Sequence, residues 1–225
     1  MLVLASASPR RSELLTQAGY SFSVHPAHIP EDPHPGEDPI AYVTRLAREK
    51  AQAVFAELSS KSWGAPGPSH LGTWESTNPN LPSLTSLIVL GADTTVTLDN
   101  HILGKPSDPA DAARMLRLLS GRTHRVLTGV ALVTAEQTLA AAETTEVTFL
   151  TLSDDEIAAY IATGEPMDKA GAYAIQGRAA RWIPRIEGCY YNVVGLPIAL
   201  VTSLLQSLPP TLRSVNSIPS TPPAT

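Results

Sequence analysis

Four consecutive apolar residues, Leu87–Leu90, run without a break into Gly91-Ala92-Asp93-Thr94-Thr95. A strand that is apolar at every position belongs inside a fold, covered on both faces. The chain therefore needs a sheet with helices packed around it, and the rest of the sequence supplies them. Leu2–Ala5 is short and apolar and predicts a second buried strand. Ser8 reads as an N-cap with Pro9 at the first helical position, and Leu14, Leu15 and Ala18 form an apolar face closed by Gly19. Tyr20–Val24 alternates like a strand. His25–Asp38 is a Pro-rich acidic loop, and a longer helix is expected from Pro39 to Leu58, with Ile40, Val43, Ala47 and Val54 on its apolar face.

Asp99-Asn100 predicts a hairpin turn between Thr95–Leu98 and His101–Leu103. Asp108-Pro109 predicts a capped helix to Leu119, ended by Gly121. Arg125–Thr134, Glu146–Leu152, Tyr173–Ile175 and Arg181–Ile186 read as strands. Ser153 with Glu156 forms a capping box that opens a helix to about Thr163, and Pro197–Leu208 reads as a last helix. Elements alternate without a strict βαβ rhythm. The expected fold is α/β of mixed α+β character, a twisted mixed sheet with packed helices. Residues 1–208 are expected to form one domain, with a mobile insertion at 59–86 and a disordered tail at 209–225, both rich in Ser and Pro.

Composition narrows the function classes. A formal net charge of −5 argues against a broad nucleic-acid or membrane partner, though not against a basic pocket on an acidic body. The lone cysteine, Cys189, excludes an internal disulfide and a cysteine zinc cage. No apolar run reaches the ~20 residues of a membrane span. The first residues are too short and lack the basic segment of a secretion signal. A cytoplasmic location is the expectation.

Several residues have chemical potential, each with a plainer alternative. Arg10 and Arg11 either point to solvent at a slight dipole cost or make an anion site with Ser hydroxyls and helix N–H groups. Lys50 shares the stripe of Val43, Ala47 and Val54, so it either snorkels to the edge or meets a negative group in a site. Arg45, Arg48 and Glu49 read as solvent-facing. Asp93, placed at the end of an apolar strand, is either a turn former or a site carboxylate. Lys105, in Leu103-Gly104-Lys105-Pro106, could be an ordinary exposed lysine. Glu31 and Asp32 sit in the acidic loop and carry no signal alone, but near Asp93 in space they would make a carboxylate pair able to hold Mg²⁺ or Mn²⁺. His25, His28 and His34 match no zinc spacing. The P-loop, GxGxxG and GxSxG motifs are missing. Cations with a few carboxylates suit metal-assisted hydrolysis of a polyphosphate.

The blocks LASASPRRSELL, RLAREKA, GADTTV, LGKP, LSGRTHRVLTGVAL, YIATGEPMDKAGAYAIQG and IEGCYYNVVGLP resemble, in this order, those of Maf proteins. These are nucleoside triphosphate pyrophosphatases first linked to septum formation. The resemblance implies a fold like that of inosine triphosphate pyrophosphatases, two lobes around a deep cleft. It implies cleavage between the α and β phosphates with a divalent metal, in the cytoplasm, on small-molecule nucleoside triphosphates, and it allows a homodimer. It assigns Asp93 as the general base and Glu31 as its partner in holding metal. Ser6, Arg10, Arg11, Lys50 and Lys105 would bind the triphosphate. The SPRR sequence and Gln176 resemble the dTTP- and UTP-preferring subfamily, with Arg11, Thr94 and Gln176 as specificity positions. A Gln amide offers the donor and acceptor that the edge of thymine or uracil needs. The alternatives are the same reaction on 7-methyl-GTP or another base, or a nucleotide-binding regulator of division without essential turnover. Ala174, where Gly is usual, and the RAARWIPR run depart from the family pattern.

Overall fold

The computed structural model describes residues 1–62 and 86–213. Seven strands form one mixed sheet: β1 (Leu2–Leu4), β2 (Phe22–Val24), β3 (Ile88–Leu98), β4 (His101–Leu103), β5 (Thr123–Val133), β6 (Thr138–Thr148) and β7 (Arg185–Glu187). Their order is β2-β1-β3-β5-β6-β7, with β4 also paired to β3. β1 runs parallel to β2 and β3, and the remaining pairs are antiparallel. The helices are α1 (Pro9–Gln17), α2 (Pro39–Ser62), α3 (Pro109–Leu119), α4 (Asp154–Ile161), α5 (Tyr190–Val194), α6 (Ile198–Ser207) and α7 (Pro210–Arg213). The expected α/β class and mixed sheet are both observed.

Two features of β3 make the site. First, its two faces are covered differently. Val89 packs with Ala47, Ala51 and Val54 of α2, whereas Ile88, Leu90 and Ala92 pack with α1 and α6. Val96 and Leu98 join a third cluster built on α3, α4 and Trp182. Second, β3 has a gap along one edge. β1 pairs with it only at Ile88–Leu90 and β4 only at Val96–Leu98. Between them lie Asp93 and Thr94, paired on the β5 side alone.

Helix α2 approaches closely because two glycines let it. A Cβ on Gly91 would lie 2.0 Å from the Ala47 carbonyl, and one on Gly129 2.1 Å from that of Val43. Gly129 is the cross-strand partner of Asp93. The helix backbone therefore rests on the sheet at this point, and Lys50 lies a turn further along.

Several boundaries differ from expectation. The Leu87–Leu90 and Thr95–Leu98 segments are one continuous strand, so Asp93 lies inside β3 rather than at its end. The strand expected at Glu146–Leu152 lies earlier, at Thr138–Thr148, because Ala- and Thr-rich residues become a strand by pairing along the whole of β5. Phe149 and Leu152 are buried beyond it. Tyr173–Ile175 is not a strand, and Arg178–Trp182 is a short 3-10 turn that buries Ala179 and Trp182. β7 follows Pro184 and, at the sheet's edge, pairs only with β6. Ile40 is exposed, and Leu46 and Ala51 take their place with Val43 and Ala47 on the buried face of α2. That helix continues to Ser62, so the first residues of the expected insertion are helical. Leu212 of α7 is buried, so the start of the expected tail is packed. Residues 63–85 and 214–225 of those two segments lie outside the described residues. The Asp99-Asn100 turn has positive φ at both residues (51° and 64°), the type I′ form. The Asp108 cap and the Ser153/Glu156 capping box form as expected.

Candidate active site

The gap in β3 opens into a cleft of about 580 Å³ lined by both halves of the chain. At its floor Lys50 Nζ lies 2.6 Å from Asp93 Oδ1 and 2.7 Å from Glu31 Oε1. Lys50 and Asp93 are each 7% exposed, while half of the Glu31 side chain faces solvent. A lysine on an apolar stripe thus points into a site. Partial burial pushes the Glu31 carboxyl up. The hydrogen bond and charge of Lys50, with Lys105 and Arg11, outweigh this and hold it below its ordinary value.

The loop carrying Glu31 is fastened by residues that sequence reasoning placed elsewhere or passed over. Tyr42 donates its hydroxyl to the Glu31 carbonyl at 2.8 Å. Burial, and then the charges of Asp93 and Glu31, push the Tyr42 phenol up to about 12, so it remains a donor at neutral pH. Arg45 was expected in solvent. Instead it grips both Glu37 oxygens at 2.7 Å and donates to the Asp32 carbonyl at 3.2 Å. This fork draws the Glu37 carboxyl down to about 2. Arg48 is exposed, as expected.

Arg10 and Arg11 behave differently. Arg11 is an internal brace: Nη1 donates to Ser6 Oγ at 3.1 Å and to the Ala92 carbonyl at 2.9 Å. Nη2 donates to Thr94 Oγ1 at 3.0 Å, and Nε to the Gly195 carbonyl at 2.9 Å. The Ala92 carbonyl lies at the gap, and the guanidinium occupies the place of a neighbouring strand. Thr94 also bonds Thr128 at 2.9 Å. Four of the five Arg11 donors are thereby engaged by protein. Arg10, one residue earlier, reaches across to Asp168 at 3.7 Å. Lys105 lines the cleft and is exposed.

Gln176 is exposed at the cleft lining on an irregular turn. Glu165 holds that turn: its carboxylate accepts from the Arg178 N–H at 3.0 Å and from the Tyr160 hydroxyl at 2.8 Å. The same hydroxyl accepts from the Ala174 N–H at 3.2 Å. A side chain on Gly177 would strike the Glu165 carboxylate. Tyr173 lines the cleft, with its hydroxyl 2.8 Å from Nε2 of the buried His124. Asp168 and Lys169 line it too. Their signal was the run Met167-Asp168-Lys169-Ala170-Gly171, which joins a carboxylate and a cation in a turn without helical or strand periodicity.

Among the described residues, no group of three or more His, Cys, Asp or Glu side chains meets to cage a metal. Glu31 and Asp93 both face the one Lys50 ammonium, so their oxygens are aimed at a common point. Such a pair fits Mg²⁺ or Mn²⁺ if water and phosphate oxygens complete the shell. No helix among the described residues is long and apolar enough to cross a membrane.

A mixed α/β protein with a buried carboxylate at the floor of a cation-walled cleft has the equipment of an enzyme acting on a polyanion. Comparison with known proteins agrees: the family described as Maf-like protein matches residues 1–208. A dTTP/UTP pyrophosphatase of Koribacter versatilis is 51% identical over 205 residues, 91% of this chain and 93% of its own. Proteins of the same description from Geobacter sulfurreducens and Salmonella typhimurium are each 48% identical. They cover 92% and 91% of this chain, and 96% and 91% of their own. The chain belongs to the Maf family.

Proposed function

We propose that this protein hydrolyses dTTP and UTP to the monophosphate and pyrophosphate, with water attacking the α-phosphorus. The observation that carries the proposal is the Glu31–Lys50–Asp93 cluster at the gap in β3, inside a cleft walled by Arg10, Lys105 and Lys169. The printed activity of the relatives supports it.

In this reading the Asp93 carboxylate orients the attacking water and takes its proton. Lys50, pinned between two carboxylates, releases part of its hold on them to meet a phosphate oxygen. Ser6, Arg10 and Lys105 hold the triphosphate and offset the charge of the pyrophosphate leaving group. Arg11 acts chiefly on the base side, by fixing Thr94 and the Gly195 backbone. Gln176, at the cleft lining, reads the donor–acceptor edge of the pyrimidine. A divalent cation, Mg²⁺ or Mn²⁺, would be held by Glu31 and Asp93 and would neutralise phosphate charge. The cytoplasm, where nucleoside triphosphates are abundant, is the matching location, and a homodimer is the proposed assembly.

The test is a nucleotide panel that includes dTTP, UTP and 7-methyl-GTP, with Mg²⁺ or Mn²⁺ and products separated by ion exchange. Monophosphate and pyrophosphate from dTTP and UTP are expected. Orthophosphate release would refute α–β cleavage, and a preference for 7-methyl-GTP would refute the pyrimidine assignment.

A further inference from the structure

Two cations from opposite walls of the cleft meet at one carboxylate. Arg10 Nη1, on the first turn of α1, is 3.7 Å from Asp168 Oδ2. Lys169 Nζ bonds the other oxygen, Asp168 Oδ1. The exposures do not match: the Lys169 side chain is 13% exposed, and its carboxylate partner 67%. A lysine whose side chain is this well covered needs a close counter-charge to offset its lost hydration. A carboxylate that itself stands mostly in water is a weak one. Lys169 makes no other ion pair among the described residues. Arg10 is similar, since its contact with Asp168 is longer than a good hydrogen bond. Partial burial pushes the Asp168 carboxyl up, but Lys169 and Arg10 more than reverse this, so it sits between them as an anion. All three residues line the same cleft as Lys50 and Lys105.

We propose that Lys169 is a further polyphosphate-binding residue. Asp168, in the same proposal, is an internal anion that holds Lys169 and Arg10 until substrate phosphate displaces it from them. The proposal rests on the reading of the cleft as a polyphosphate site. It differs from a positioning role for Asp168 in the sign of its effect. A positioning carboxylate helps the ligand bind, whereas a competing one hinders it. The arrangement also gives the two cations a partner before substrate arrives, so the walls are not left with unopposed positive charge.

The experiment is calorimetric titration of the full chain with sodium tripolyphosphate, without divalent ions, so that only the cations are read. Asp168→Asn should tighten binding about fivefold, the scale of one exposed ion pair removed from competition. Lys169→Met should weaken it about tenfold, and Lys169→Arg should recover most of that loss, which a merely structural defect would not allow. In the Lys169→Met background the gain from Asp168→Asn should shrink, because the two residues act on one contact. Unchanged or weaker binding by Asp168→Asn overturns the competing role. Unchanged binding by Lys169→Met overturns the binding role, and so does the absence of tripolyphosphate binding in every form. Turnover of dTTP and UTP by the unaltered chain separates the two claims. Tightening without turnover would defeat the proposed activity and leave the competing role of Asp168 standing. Turnover without tightening would leave the activity standing and defeat that competing role.

Discussion

The two walls of the cleft are built by different means. The wall that bears Lys50 and Asp93 stands on the two longest kinds of element, α2 and the 11-residue β3, welded where Gly91 and Gly129 admit the helix backbone. The wall that bears Asp168, Lys169, Tyr173 and Gln176 is a succession of 3-10 turns. Those turns are tied by side chains, Tyr160 to Glu165 and His124 to Tyr173, rather than by a backbone ladder. Regular elements hold Lys50 and Asp93 in a fixed geometry, as the general base proposed for Asp93 requires. Turns held by single hydrogen bonds can differ at one residue without disturbing the sheet, which suits the base-reading role proposed for Gln176.

The comparison predicts where substitutions bite. The largest effect is expected at Asp93→Asn, which keeps the shape of β3 and should lower turnover roughly a hundred- to ten-thousand-fold, with nucleotide binding retained. Turnover near the native value would remove Asp93 from the base role. Next, Gly129→Ala should destabilise the fold by about 3 kcal/mol or more, since its Cβ would meet helix backbone that cannot rotate away. A native urea midpoint would show that α2 is not welded to the sheet.

The second wall should respond to pH. Burial holds the His124 imidazole at about 4, down from 6.5. The unfolded chain therefore takes up a proton that the folded chain refuses as pH falls from 6.5 to 4. Stability from this residue is complete above pH 6.5 and declines through that window, by about 3 kcal/mol. His124→Gln should flatten this slope when denaturant midpoints are compared at pH 7 and pH 4.5. An unchanged slope would contradict a buried neutral His124. The smallest effect is expected at the turn itself. Glu165→Gln should raise the KM for dTTP and UTP about tenfold with kcat little altered, by loosening the turn under Gln176. Loss of kcat instead would mean that the two walls are not separable.

The first wall was also the more legible in sequence. Lys50 stood out by its place in the Val43, Ala47, Val54 stripe, whereas Glu31 carried no signal of its own and was paired with Asp93 by family resemblance. The gap that exposes Asp93 was not legible, because it depends on where β1 and β4 stop pairing along β3. Arg45 was misread for a related reason. Besides Glu49 on the same helix, its partners Glu37 and Asp32 are in a loop without periodicity, so no pattern foretold that they would fold back on α2. On the second wall Tyr173–Ile175 and Arg181–Ile186 have strand-like composition, yet only Arg185–Glu187 finds a pairing partner. Gln176 was identified by family resemblance, and the clamp beneath it came from long-range hydrogen bonds that a local pattern does not encode.

The central claim is that water, oriented by Asp93, attacks the α-phosphorus. It is tested most directly by hydrolysis of dTTP in ¹⁸O-labelled water, followed by mass spectrometry of both products. The account predicts the label in the thymidine monophosphate, with unlabelled pyrophosphate, and its appearance strongly slowed by Asp93→Asn. Label in the pyrophosphate would place the attack at the β-phosphorus and contradict it.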